Sequence, residues 1–201
     1  MSGDVYRNYI NGQWLGGKNI TINLNPSDTS DIVGHYAKAD ADDCVTAIAS
    51  ANNAFASWSQ SALEARKAIL DMIGNELIGR KEEIGAVLAR EEGKTLAEGI
   101  GEVGRSGQFF QYYAAEVLRL MGENTASVRP GIDVEVHREP LGVVGIITPW
   151  NFPMAVAAWK VAPALAYGNC VVLKPAELVP ASAWILAEII SRIFGPSGDK
   201  L

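Results

Sequence analysis

From Pro140 onward the sequence keeps to one grammar. Gly142-Val-Val-Gly-Ile-Ile147 is an apolar, β-branched run of strand length, and residues 154–167 then carry Val156, Trp159, Ala162 and Pro163/Ala164 at helical spacing. Cys170-Val-Val-Leu173 is a second strand-like run, and 180–194 a second helix. The strand starts at 142 and 170 lie 28 residues apart, the length of one βαβ crossover, so the two strands are predicted to be parallel neighbours. This is the strongest constraint on the fold. A parallel sheet needs helices on both faces, and ligands of such sheets bind in the crevice outside the C-terminal strand ends. Two strands are too few for a complete sheet, and the tail Phe194-Gly-Pro-Ser-Gly-Asp-Lys-Leu201 brings no third, so the chain reads as cut short in mid-domain.

Upstream, helices predominate. Tyr9-Ile-Asn11-Gly12-Gln-Trp14 is an Asn-Gly tight hairpin, and Asn25-Pro-Ser-Asp28 a turn ahead of a short strand over 32–36. Asp40, with Asp43 three residues on, caps a helix that carries Val45, Ile48, Asn52, Phe55 and Trp58 on one face. Leu63, Ile69, Leu70, Ile73 and Leu77 mark a second helix, and Ile84, Val87 and Leu88 a third. A 4-3 pattern through Ile100, Val103, Gly107, Phe110, Ala114 and Val117 predicts one long helix over 96–121. Val128, Ile132, Val134 and Val136 around Pro130-Gly131 predict an exposed antiparallel hairpin over 125–140.

Composition removes several function classes. With 48% hydrophobic residues in 201 the chain can bury a real core, and a net charge of −6 with scattered Lys and Arg offers nucleic acid no basic surface. No apolar run reaches the about 18 residues of a membrane span, and the N-terminus lacks the basic and apolar regions of a signal peptide, so a cytoplasmic protein off the membrane is expected. Cys44 and Cys170 form no CxxC and have only His35 and His137 as possible co-ligands, so neither a metal site nor a disulfide framework follows.

Three motifs bear on chemistry. Gly99-Ile-Gly101-Glu-Val-Gly104 fits G-x-G-x-x-G, but it follows the charged, helix-like segment 90–98 and falls inside the 4-3 pattern. It is therefore read as helix-packing glycines, since a dinucleotide loop must leave a strand and open a helix. Lys174-Pro-Ala-Glu177 ends the second parallel strand, where an ammonium and a carboxylate suit the hydroxyls of a ribose; a solvated loop explains it equally well. Asn151, between Trp150 and Phe152, lies at the first strand-to-helix junction. Its amide can donate to an oxyanion or cap the helix, and local chemistry leans to the cap.

Residues 140–177 as a whole, with Pro149-Trp-Asn-Phe-Pro153, Trp159-Lys160, Pro163-Ala-Leu165, Gly168-Asn169 and Lys174-Pro-Ala-Glu177, resemble the aldehyde dehydrogenase superfamily. The similarity extends to about Ile193, through the Asn11-Gly12 hairpin, Asn25-Pro26, Glu91-Glu-Gly-Lys-Thr95 and Tyr112-Tyr-Ala114. Details such as Tyr167-Gly-Asn169 are similar to members that oxidise semialdehydes, especially 2-oxoglutarate semialdehyde. The resemblance implies the N-terminal part of an α/β fold with a Rossmann-like parallel sheet. Residues 1–124 would be the helical part of the cofactor-binding domain, 125–140 an oligomerisation hairpin, and 141–201 the first βαβα. It implies that Asn151 is the oxyanion-hole donor as the thiohemiacetal forms, that Ile147, Thr148, Pro149 and Trp150 form a cofactor-facing wall, and that Phe152 and Trp159 line the aldehyde tunnel. Lys174 and Glu177 would contact the adenosine ribose, and Glu177 would repel a 2′-phosphate, so NAD is expected over NADP. A small aldehyde and further copies of the chain are the expected partners.

The family's nucleophilic Cys and general-base Glu lie downstream of the region matched. Cys170 corresponds to a buried strand residue, so the chain alone is expected to be inactive. A non-catalytic nucleotide-binding remnant and an interaction module built on the 125–140 hairpin are the other readings.

Overall fold

The computed structural model describes residues 5–194; the tail 195–201, expected to bring no third strand, lies outside them. The order of elements is β1 (Val5–Tyr6), β2 (Asn8–Ile10), β3 (Gln13–Leu15), β4 (Asn19–Asn25), β5 (Asp28–Lys38), then helices α1 (Ala41–Trp58), α2 (Leu63–Gly79), α3 (Lys81–Glu92) and α4 (Leu96–Glu116). After them come β6 (Glu123–Ala126), β7 (Asp133–Val136), β8 (Val143–Ile147), α5 (Ala155–Ala166), β9 (Cys170–Lys174) and α6 (Pro180–Phe194). β8 and β9 pair in parallel with Val143 opposite Cys170 and Ile147 opposite Lys174, as the 28-residue spacing requires.

The β2–β3 hairpin turns at Asn11 (φ 52°) and Gly12 (φ 71°), both left-handed, the geometry an Asn-Gly pair adopts at least cost. Strand β4 was not legible, because its polarity is inverted: Ile20, Ile22 and Leu24 are exposed, whereas Asn23 is buried. β5 is correspondingly longer than the strand expected over 32–36 and pairs antiparallel with β4. The segment is fastened to α6 through aromatic rings, with Tyr6 and Trp14 each packed on Trp184, whose indole N–H donates to the Arg7 carbonyl.

Asp40 forms the expected capping box with Asp43. The apolar face drawn for α1 is only half used: Trp58 is buried and Phe55 packs on the core, but Val45 and Ile48 are exposed. Helix α4 stops short of the expected 121, tightening into a 3₁₀ turn at Val117–Arg119 before Leu120 extends towards β6. Gly99, Gly101 and Gly104 all lie within α4. A Cβ on Gly99 would stand 2.5 Å from the Gly85 carbonyl oxygen, so here α3 and α4 touch backbone to backbone. The hairpin strands begin two residues earlier than the 125 expected, and both are exposed throughout.

One core joins the two halves. Ile69, Leu70 and Ile73 of α2 and Val103 and Phe110 of α4 belong to the same buried cluster as Ile146, Met154, Ala162 and Leu186. Among the described residues no helix is long and apolar enough to cross a membrane.

Candidate active site and cofactor crevice

The site is fixed by what holds the loops after β8 and β9. Asn169 pins the entry to β8, its Oδ1 accepting from Leu141 N–H (2.6 Å) and Gly142 N–H (3.0 Å). At the exit, Thr148 N–H donates to the Lys174 carbonyl (3.3 Å), which keeps the two strand ends side by side. Beyond it the chain must turn into α5, whose first N–H groups have no partner within the helix.

Asn151 does not supply that partner. Met154 N–H and Ala155 N–H both donate to Glu102 Oε1, each at 3.0 Å, so a carboxylate from α4 caps α5 and the cap reading of Asn151 falls away. Glu102 Oε2 accepts from Lys94 Nζ at 2.7 Å, and the same ammonium donates to the Asn151 carbonyl (3.1 Å) and lies 4.4 Å from the centre of the Phe152 ring. The Glu92 carboxylate approaches Lys94 to 3.6 Å. The Asn151 side chain makes no hydrogen bond among the described residues and is exposed at the mouth of a cleft of about 550 Å³. Phe152 and Trp159 line this cleft, Trp159 stacked on Phe109 at 5.6 Å, and Arg105 and Glu98 add charge to its rim. Arg105 donates to Gln108 (3.1 Å) and has no carboxylate partner among the described residues.

Outside the lining of that cleft, at the same strand ends, lies an exposed shelf. Ile147 and Trp150 are 75% and 57% exposed, large fractions for such side chains at a strand end, and Pro149 is exposed beside them. Thr148 is buried, so its place in the expected wall is behind the surface that Ile147, Pro149 and Trp150 present. Lys174 and Glu177 are exposed and 3.4 Å apart. The Glu177 carboxyl sits below the ordinary carboxylate range, held there by a backbone N–H and by Lys174. An apolar shelf next to an ammonium and an ionised carboxylate fits an adenine ring with its ribose hydroxyls. Cys170 is buried in β9 and burial pushes its thiol up, away from thiolate chemistry.

Sequence reading missed a second buried glutamate. Glu91 of α3 accepts from Ala181 N–H (2.8 Å), Ser182 N–H (2.7 Å), the Ser182 hydroxyl and Asn23 Nδ2 (2.7 Å), and so caps α6 as Glu102 caps α5. A signal for it exists: Ile84, Leu88 and Glu91 share one helical stripe, so the charge falls where an apolar residue should continue the inward face.

Residues 14–198 match the aldehyde dehydrogenase family. An alpha-ketoglutaric semialdehyde dehydrogenase of Bacillus subtilis is 42% identical over 188 residues, which are 92% of this chain and 38% of that protein. Among solved structures, aldehyde dehydrogenase 21 of Physcomitrella patens in complex with the reaction product succinate superposes with a TM-score of 0.90 at 35% identity, covering 96% of this chain and 41% of that one. A 1-pyrroline-5-carboxylate dehydrogenase from Thermus with bound NAD superposes with a TM-score of 0.89 at 34% identity, covering 98% and 38%. The chain thus spans about two fifths of the length of the curated relatives it matches. With the family pattern present from the first hairpin to the last described helix, the chain belongs to the aldehyde dehydrogenase family.

Proposed function

We propose that this chain provides the oxyanion donor, the aldehyde tunnel and the adenosine end of the cofactor site of an NAD-dependent semialdehyde dehydrogenase. The observation that carries the reading is the Asn151 amide, which has no hydrogen-bond partner among the described residues. It stands at the mouth of an aromatic-lined cleft while Glu102 takes over the helix-capping duty that would otherwise explain an Asn there. An amide in that place donates to the aldehyde oxygen as it gains charge, an interaction stronger in the transition state than in the ground state. Phe152 and Trp159 exclude water from the approach. Bound NAD would supply the hydride acceptor; Lys174 and Glu177 would hold its adenosine ribose, and Ile147, Pro149 and Trp150 would give it an apolar wall.

The substrate class follows from charge. Of the two cations in the cleft, Lys94 is consumed by Glu102 and Glu92, whereas Arg105 is unpaired by any carboxylate among the described residues and lies 5.2 Å above the Phe109 ring. It suits the distal carboxylate of a semialdehyde, as the names of the Bacillus relative and the succinate-bound neighbour also suggest. The exposed β6–β7 hairpin, with Ile132, Val134 and Val136 uncovered, serves assembly with further subunits.

The test is Asn151→Ala in a full-length family chain carrying these residues. The expected loss in kcat/KM is on the order of 10²–10³, with the KM for NAD nearly unchanged. Normal turnover with a lowered melting temperature would refute the oxyanion role.

A further inference from the structure

Lys94 and Glu102 form a buried pair, with side chains 10% and 2% exposed, placed where neither contributes to an ordinary helix surface. Burying two charges costs several kcal/mol per ion before pairing, so the arrangement needs more than the pair itself to offset that cost. Apart from the Glu92 carboxylate, 3.6 Å from Lys94, its further side-chain contacts fall on one segment. Glu102 takes the two N–H groups that open α5, and Lys94 takes the Asn151 carbonyl and faces the Phe152 ring. Residues 151–155 are thereby held at both ends from a different part of the fold: Glu102 comes from α4, and Lys94 from the loop between α3 and α4.

We propose that Lys94 and Glu102 are positioning residues for catalysis, a clamp that fixes the main chain of 151–155 so that the Asn151 amide stays aimed into the cleft. This rests on the oxyanion reading of Asn151, and it adds two residues of the cleft lining that act through the main chain of 151–155. The side chain of Asn151 has no hydrogen-bond partner among the described residues, so what the fold fixes is the place of its Cβ, which the main chain sets. An oxyanion donor misplaced by about 1 Å forfeits most of its effect, which makes such a clamp worth its desolvation.

Two measurements test it. In this 201-residue chain, amide hydrogen exchange followed by NMR should accelerate at least about tenfold at Met154 and Ala155 in Glu102→Ala, with the β8–β9 ladder unchanged. Unchanged exchange at those two amides, or equal acceleration throughout the chain, overturns the clamp. In a full-length chain, Lys94→Met should lower kcat about tenfold with the KM for NAD unchanged. In an Asn151→Ala background it should lower kcat no further, since both changes remove one interaction. The same tenfold loss in both backgrounds shows a structural role only and overturns the proposal. If Asn151→Ala alone leaves kcat normal, the oxyanion reading fails instead, and exchange at Met154 and Ala155 alone decides whether the clamp exists.

Discussion

Replacing Glu91 with Ala tests how the N-terminal helices are fastened to the α/β unit. The substitution strips the acceptor from Ala181 N–H, Ser182 N–H and the Asn23 amide, all buried; the Ser182 hydroxyl alone is free to rotate elsewhere. Each buried donor left without a partner costs about 1–3 kcal/mol, and a water entering the vacated space recovers part of it. A net loss of roughly 3 kcal/mol is expected, a large share of the about 5–15 kcal/mol that holds a domain of this size. Glu91→Gln keeps one acceptor oxygen but turns an NH₂ against the remaining donors, so it should fall between wild type and Ala. Urea unfolding followed by far-UV circular dichroism reads this directly: with a slope of about 2 kcal/mol per molar, the midpoint should drop by about 1.5 M in the Ala variant. A shift under about 0.5 M would refute the account of Glu91 as the cap of α6. The pH dependence gives a second reading. Burial pushes the Glu91 carboxyl above its ordinary 4.5, and the donors around it pull it back only in part. Between 4.5 and the raised value the folded chain binds the extra proton, so this group's contribution to stability falls as pH rises through that window. Glu91→Gln should abolish that part of the slope and leave the rest of the profile in place.

Three further outcomes are expected, the first two in a full-length family chain carrying these residues. Glu177→Ser should narrow the preference for NAD over NADP by weakening NAD and admitting the 2′-phosphate; a ratio of KM values unmoved by the change would mean that Glu177 does not meet the ribose. Arg105→Met should raise the KM for succinic semialdehyde at least about tenfold and leave that for butanal nearly unchanged, the usual cost of losing a charge-assisted hydrogen bond; equal effects on both would place the carboxylate elsewhere. The 201-residue chain by itself should form no NADH from aldehydes, and robust formation abolished by Cys170→Ala would overturn both this and the buried reading of Cys170.

What the sequence revealed, and what it hid, divides by the range of the interaction. The β8–α5–β9–α6 unit, the Asn11-Gly12 turn and the Asp40 capping box are written in adjacent residues, whose periodicity and turn chemistry need no knowledge of the rest. The glycines at 99, 101 and 104 lie in a helix, as the pattern around them indicates, but only Gly99 packs closely against a neighbouring helix; Gly101 faces open space and Gly104 meets only the Lys81 side chain. Strand β4 escaped because Asn19-Ile-Thr-Ile-Asn-Leu-Asn25 puts its polar side inward, and what makes that tolerable is Glu91, 68 residues downstream of Asn23. The extent of α1's buried face escaped as well, for periodicity shows that a stripe exists and not how much of it a neighbour covers.

The cap of α5 escaped for a reason that reaches the chemistry. Asn151 precedes a helix, and Asn is among the best N-caps, so local rules assign it to the helix. Glu102, 52 residues before Met154, satisfies those N–H groups instead, and only the folded chain brings it there. A side chain released from a structural task in this way is one the fold can spend on a ligand. The inference runs the same way after the neighbouring strand, where Glu91 caps α6 and leaves Lys174 and Glu177 exposed at the strand end. Both long-range caps come from the α3–α4 region, so the helices that look like a mere flank of the α/β unit determine which polar groups its crevices can offer. Substitutions of Glu102 and Glu91 should therefore reach the site through residues 151–155 and 181–182 respectively.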